Sequence, residues 1–209
     1  MFGTVHLGVF VASGLLLNVT PGQDTFYIIG RSVSQGRRAG VLSVAGIVTG
    51  CAVHTCAAAL GLSAILAASA RAFTVVKLAG AAYLVYLGIR MLMSRAVVPG
   101  SSGHMTPESD WRIYRDGLFC NLLNPKTALF FLAFLPQFIS PTSASRIGSF
   151  LFLGAVFIFN GTLWCLVLAW AAAGMSRRLR ENSWSFTLIN RAAGTMFIIL
   201  GAVLAAAAE

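Results

Sequence analysis

Apolar runs long enough to cross a bilayer recur along this chain, separated by short turns in which its basic residues gather. A helix needs roughly 20 residues to span a hydrocarbon core, and six runs meet that length. They extend approximately over Val5 to Gly30, Val41 to Ala68, Phe73 to Met93, Gly117 to Ile139, Ile147 to Ala173 and Phe186 to Ala207. Hydrophobic residues make up 57% of the 209, and only 10% are Asp, Glu, Lys or Arg, where a soluble domain carries about a quarter. Such a chain cannot cover itself with polar surface. The sequence predicts an all-α, polytopic membrane bundle of six transmembrane helices.

The net charge of +9 does not point to nucleic acid, because phosphate binding needs a basic patch on a soluble surface. The distribution reads instead as membrane orientation. Arg31, Arg37 and Arg38 fall at the first turn, Arg90, Arg95, Arg112 and Arg115 around the central linker, and Arg177, Arg178 and Arg180 at the fifth turn. Against these stand Arg71 at the second turn and Arg146 at the fourth. The odd-numbered turns are therefore expected in the cytoplasm and both termini in the periplasm. The N-terminal Met1-Phe2-Gly3-Thr4-Val5-His6 has no positive n-region, so the first run is expected to stay as a helix. Cys51, Cys56, Cys120 and Cys165 all lie in apolar runs and read as small hydrophobes, not as a disulfide framework.

Residues 95–111, with Pro99-Gly100-Ser101-Ser102-Gly103, read as a polar linker between half-repeats of about 1–94 and 112–209 in a single transporter-like domain. Three spans per half make the second half enter the membrane from the opposite side, so any likeness between halves is an inverted repeat. Thr20-Pro21-Gly22 echoes Asn124-Pro125-Lys126 at an offset of 104 residues, and Lys77-Leu78-Ala79-Gly80 echoes Arg191-Ala192-Ala193-Gly194. Interrupted helices at matching places in two halves mark a transporter's binding site.

Proline removes a backbone donor and crowds the preceding turn, so runs one and four should break at Pro21 and Pro125. Irregular backbone at membrane depth survives only where protein or a wet cavity satisfies it. Pro21 lies ten residues before Arg31 and Pro125 ten after Arg115, which puts each break roughly 15 Å from the basic edge, near the midplane. Candidate substrate- or ion-binding residues are Asn18, Pro21, Gly22, Gln23 and Asp24 at the first break, and Asn121, Asn124, Pro125 and Lys126 at the second. An ionisable group inside the membrane is a functional candidate because an unpaired charge there is costly. Asp24 and His54 are candidates for a proton relay, with packing the competing role for His54. Gly46 and Gly50 permit close helix approach, either inside the bundle or in a homodimer. Lys77 and Arg191 read as snorkelling side chains.

Other chemistries lack their parts. No nucleophile with a base and no His-Glu-x-x-His motif is visible, so an enzyme is not expected. No His- or carboxylate-rich cluster favours a metal, and no cofactor motif appears. A thiol-disulfide electron carrier would need cysteines on both broken helices; the first has none, and Cys51 and Cys56 point to different sides of one helix. Export of a non-amino-acid metabolite stays open on these grounds.

The chain resembles the lysine-exporter and homoserine/threonine-resistance (LysE/RhtB) family of bacterial amino-acid exporters. The resemblance rests on Pro21-Gly22 with Asp24, Gln35-Gly36-Arg37-Arg38-Ala39-Gly40, Gly46 with Gly50 and His54, Gly80-Ala81-Ala82-Tyr83-Leu84 with Gly88, Asn121 with Asn124-Pro125-Lys126, and Pro136-Gln137-Phe138. It covers nearly the whole chain. It implies a six-helix carrier of the bacterial inner membrane that exports amino acids, driven by the proton gradient. Family members often have Pro-Gly-Pro at the first break; here Gln23 takes the third place, restoring a backbone donor and adding an amide.

Overall fold

Proline and glycine set the path of the first 62 residues. Thr20 leaves the helical region (φ −61°, ψ 122°), as a residue before proline tends to, and this ends α1 (Leu7–Val19). The chain re-enters a helix, α2 (Gln23–Ala57), which carries one non-helical residue, Gly36, at φ 82° and ψ −171°. That left-handed conformation is open to glycine at little steric cost. The chain doubles back there. A β-carbon built on Gly40 would stand 3.2 Å from the Ser32 Cβ, whereas eight residues of straight helix would separate the two by about 12 Å.

The computed structural model describes residues 3–62 and 108–174, together with the isolated helical positions 74, 75, 78, 81, 82, 85, 86, 89, 92, 93, 195, 198, 199, 202 and 205. The expected third and sixth spans, the linker and the Lys77 and Arg191 echo lie largely or wholly outside these residues. The second described stretch contains α3 (Asp110–Leu122), α4 (Pro125–Leu129) and α5 (Arg146–Gly174). A π-helical turn follows α2 at Ala58–Leu62, and another follows α4 at Phe130–Phe134 before a 3-10 turn at Leu135–Phe138.

By length and composition, two stretches are apolar enough to cross a membrane, Arg146–Gly174 and Gln23–Gly61, the second of which contains the reversal at Gly36; Asp110–Leu122 with Lys126–Phe138, bent by 50° at the break, adds a third if the pair is one span. Among the described residues the only strand-like pairing is a bridge between Thr4 and Ile139. The fifth expected span matches α5 within a residue at each end. The first turn differs: helix persists past Gly30 to Gln35, because Tyr27, Arg31 and Gln35 find polar partners within the fold. Arg31, expected as a loop charge, is only 5% exposed; it donates to Gln35 Oε1 (3.0 Å) and lies over the Tyr27 ring.

α5, about 43 Å long at 1.5 Å per residue, separates two ends of the bundle. At one end Arg38 pairs with Asp110, Gln35 Nε2 donates to the Glu108 carbonyl (3.0 Å), and the Arg37 guanidinium lies 5.2 Å from the Trp170 ring centre. At the other, Val5 N donates to Phe138 O and Ser140 N to Gly3 O, both at 2.8 Å. The Arg38–Asp110 pair is exposed, so it fixes position more than it adds stability.

Helices in lipid gain no hydrophobic advantage from touching each other, so close packing must hold them together. The returning limb of α2 supplies it. β-Carbons on Gly46 and Gly50 would collide with the α3 backbone at Tyr114–Leu118 and with the Asn121 side chain, while one on Gly117 would stand 2.9 Å from the Ser43 carbonyl. The Gly46/Gly50 face is thus used inside the bundle. Gly46→Leu and Gly50→Leu are each expected to cost at least the ~1–3 kcal/mol of an overpacked core, because the obstacle at Gly46 is backbone. The yield of monodisperse protein after detergent extraction measures this, and wild-type yield in both variants would contradict the packing. Towards the N-terminal end, Phe10, Phe130, Phe134, Phe138 and Phe157 stack at ring separations of 4.5–5.8 Å.

Candidate functional site

Pro21 carries no N–H, so the carbonyl of Leu17, four residues earlier, loses its helical donor. The extended backbone of Thr20 frees a second carbonyl. Both are taken by one side chain from the other broken helix: Lys126 Nζ donates to Leu17 O (3.0 Å) and Thr20 O (2.8 Å). Its ammonium therefore stands at the C-terminal end of α1, where the helix dipole favours positive charge. Gly22 makes room for it, since a β-carbon there would be 3.3 Å from Nζ.

The second break is built by a different rule. Asn124 is extended (φ −78°, ψ 107°) and its Oδ1 accepts from Lys126 N at 3.0 Å, capping α4 ahead of Pro125 in the first helical turn. Asn124 Nδ2 is buried with no partner. The capping that restarts the helix thus also positions Lys126. The breaks expected at similar depth meet.

Asp24 occupies the first turn of α2, the positive end of that helix. Its Oδ2 accepts from Asn121 Nδ2 at 2.8 Å, and the Cys120 thiol lies 3.7 Å from Oδ1. Asn121 is fully buried and also reaches Thr127 Oγ1 at 3.4 Å. His54 stands behind it, with Nε2 3.2 Å from the Asn121 carbonyl and its ring stacked on Phe131. Among the described residues the two relay candidates are joined through Asn121.

Asp24 and Lys126 line one cavity of about 40 Å³. It has room for a few waters and is too small for an amino acid. The two charges face this space without pairing: among the described residues the ion pairs are Arg38–Asp110, Arg112–Glu108, Arg112–Asp116 and Arg115–Asp116. Asn18 lines the same space, and its Nδ2 is buried without an acceptor. Of the other residues expected here, Pro21 and Gly22 shape the first break, Asn121, Asn124 and Pro125 build the second, and Gln23 is exposed outside the lining.

Sequence reasoning missed the opposite wall. Phe157, Ile158, Gly161, Thr162 and Cys165 of α5 line the cavity, as do Ile47, Val48 and Cys51 of α2. The available signal was Asn160-Gly161-Thr162, a polar and small interruption in the middle of an apolar span.

The family model for LysE type translocators matches residues 15–208. The chain belongs to that family. Like other LysE-type translocators it is a membrane transport protein, and it aligns with three relatives over nearly their full lengths. The homoserine/homoserine lactone efflux protein of Salmonella typhimurium is 30% identical over 201 residues, covering 95% of each chain. The leucine efflux protein of an Enterobacter species is 28% identical over 204 residues, 98% of this chain and 97% of the relative. An uncharacterized membrane protein of Vibrio cholerae is 32% identical over 199 residues, 95% of each. No solved structure gives a significant match to this LysE-type chain.

Proposed function

We propose that this translocator exports amino acids across the bacterial inner membrane, by alternating access around its two broken helices and in exchange for protons. The observation that carries the reading is a carboxylate and an ammonium, Asp24 and Lys126, lining one cavity without pairing with each other. A zwitterion complements that arrangement. Its ammonium replaces water against Asp24, and its carboxylate takes the remaining Lys126 N–H and the unpaired Asn18 amide. The efflux proteins for homoserine and leucine among the relatives support the same cargo class. In this reading the 40 Å³ cavity belongs to a cargo-free state, and binding must widen it.

Purified protein in liposomes preloaded with unlabelled amino acid is expected to accumulate the labelled amino acid by counterflow. If no member of a panel of neutral, acidic and basic amino acids exchanges above empty liposomes, the reading fails.

The two halves act in this proposal as inverted repeats, with the basic end at Gly36 in the cytoplasm and both termini outside. A cysteine at Thr142, beside the N-terminal end, should then react with a membrane-impermeant maleimide in intact cells; one at Ser34 should react only after permeabilisation. Both positions are exposed. The reverse pattern would invert the proposed orientation.

A further inference from the structure

The cavity has two chemically different walls, and the second has no role in the charge complementarity described above. Asp24, Lys126 and Asn18 come from the two breaks. Lining the same space are Phe157, Gly161, Thr162 and Cys165 of α5 with Ile47 and Val48 of α2. If the cargo's charged head group is held at the breaks, the rest of the molecule is directed against this second wall. Resting on the amino-acid reading, we propose that the α5 face from Phe157 to Cys165 selects the cargo side chain, and that it selects short, uncharged ones.

The argument is one of what the wall offers. Among the described residues Asp24 is the only acid in the lining, and the head group's ammonium occupies it. A lysine or arginine side chain would bring a second cation against Ile47, Val48, Phe157 and Cys165, where a desolvated charge has no counter-ion. An acidic side chain meets the same wall with Lys126, the only lining cation among the described residues, already shared between two carbonyls and the cargo carboxylate. Aliphatic chains fit by contact. A hydroxyl fits too, because the Thr162 hydroxyl donates to the Ile158 carbonyl at 2.7 Å and so keeps its oxygen free to accept.

Gly161 sets the length. A β-carbon built there would lie 3.2 Å from Asn18 Oδ1 and 3.3 Å from Nδ2, so any side chain at 161 intrudes where the two walls meet. Cys165, one helical turn further on, lines the same space, and shortening it deepens the pocket.

The test is counterflow of L-alanine, L-leucine and L-lysine, each labelled, in liposomes holding equal amounts of wild type, Gly161→Ala or Cys165→Ala. Wild type is expected to exchange the neutral pair and to handle L-lysine at least about tenfold more slowly; a methyl group in an apolar pocket discriminates by a similar factor. Gly161→Ala should lower the leucine-to-alanine rate ratio and Cys165→Ala should raise it, severalfold each. Should Gly161→Ala fail to accumulate, the direction of the Cys165→Ala ratio decides. L-lysine exchange at the neutral rate, or an unmoved ratio in the variants that transport, overturns the selection proposal and leaves amino-acid export standing. Absence of exchange of all three by wild type overturns this proposal, and the export reading falls with it if the wider amino-acid panel also fails to exchange.

Discussion

Asp24→Asn is expected to reach the membrane at wild-type level, keep its fold, and lose the stimulation of export by an inward proton gradient. The fold should survive because an asparagine oxygen can still accept from Asn121 Nδ2, the contact that Asp24 makes at 2.8 Å. The charge is what disappears. A hydrogen bond to a charged group contributes about 1.5–3 kcal/mol, so cargo affinity should fall by roughly tenfold to a hundredfold. In the proposed exchange the carboxylate also takes the proton that replaces the cargo's ammonium within one cycle. The measurement is initial export from loaded vesicles with and without a pH gradient, at matched protein. A variant that retains both its rate and its gradient dependence would show that Asp24 serves only as the acceptor for Asn121 at the start of α2, and the search for the coupling group would move to His54.

Local chemistry made the breaks legible and tertiary chemistry hid their partners. Pro21 and Pro125 announce themselves because a missing N–H is a property of one residue, and Asp24 and Lys126 stand out because charge in an apolar run needs a reason. Helix rise alone then put the two breaks at one depth, and Lys126 spans from one to the other. The sequence offered no sign that the ammonium would cap the carbonyls of α1, since that contact crosses 109 positions to Leu17. Arg31 was misplaced for a related reason. Charge counting assigns an arginine near a turn to the loop, whereas this one is buried on its helix against Tyr27 and Gln35. The α5 wall was the hardest part to see, because glycine, threonine and cysteine in an apolar helix look like ordinary packing residues until a cavity is found beside them.

Lys126→Met should have the largest effect, because one side chain holds the fold together and faces the cavity. Methionine replaces the apolar stem of lysine but donates nothing, which leaves the Leu17 and Thr20 carbonyls without the ammonium that both accept from. An acceptor buried and unsatisfied costs about 1–3 kcal/mol. The midpoint of thermal unfolding in detergent should therefore drop, and counterflow should fall to the level of empty liposomes. Lys126→Arg separates the two roles. Arginine keeps the positive charge and can donate to both carbonyls, so stability should be largely restored. Its guanidinium is larger and planar, so it must occupy part of the 40 Å³ that the lysine leaves open, and cargo affinity should stay low. A stable Lys126→Arg variant with full transport would show that the space beside the ammonium does not limit cargo binding, and a Lys126→Met variant with wild-type melting and transport would remove Lys126 from both roles.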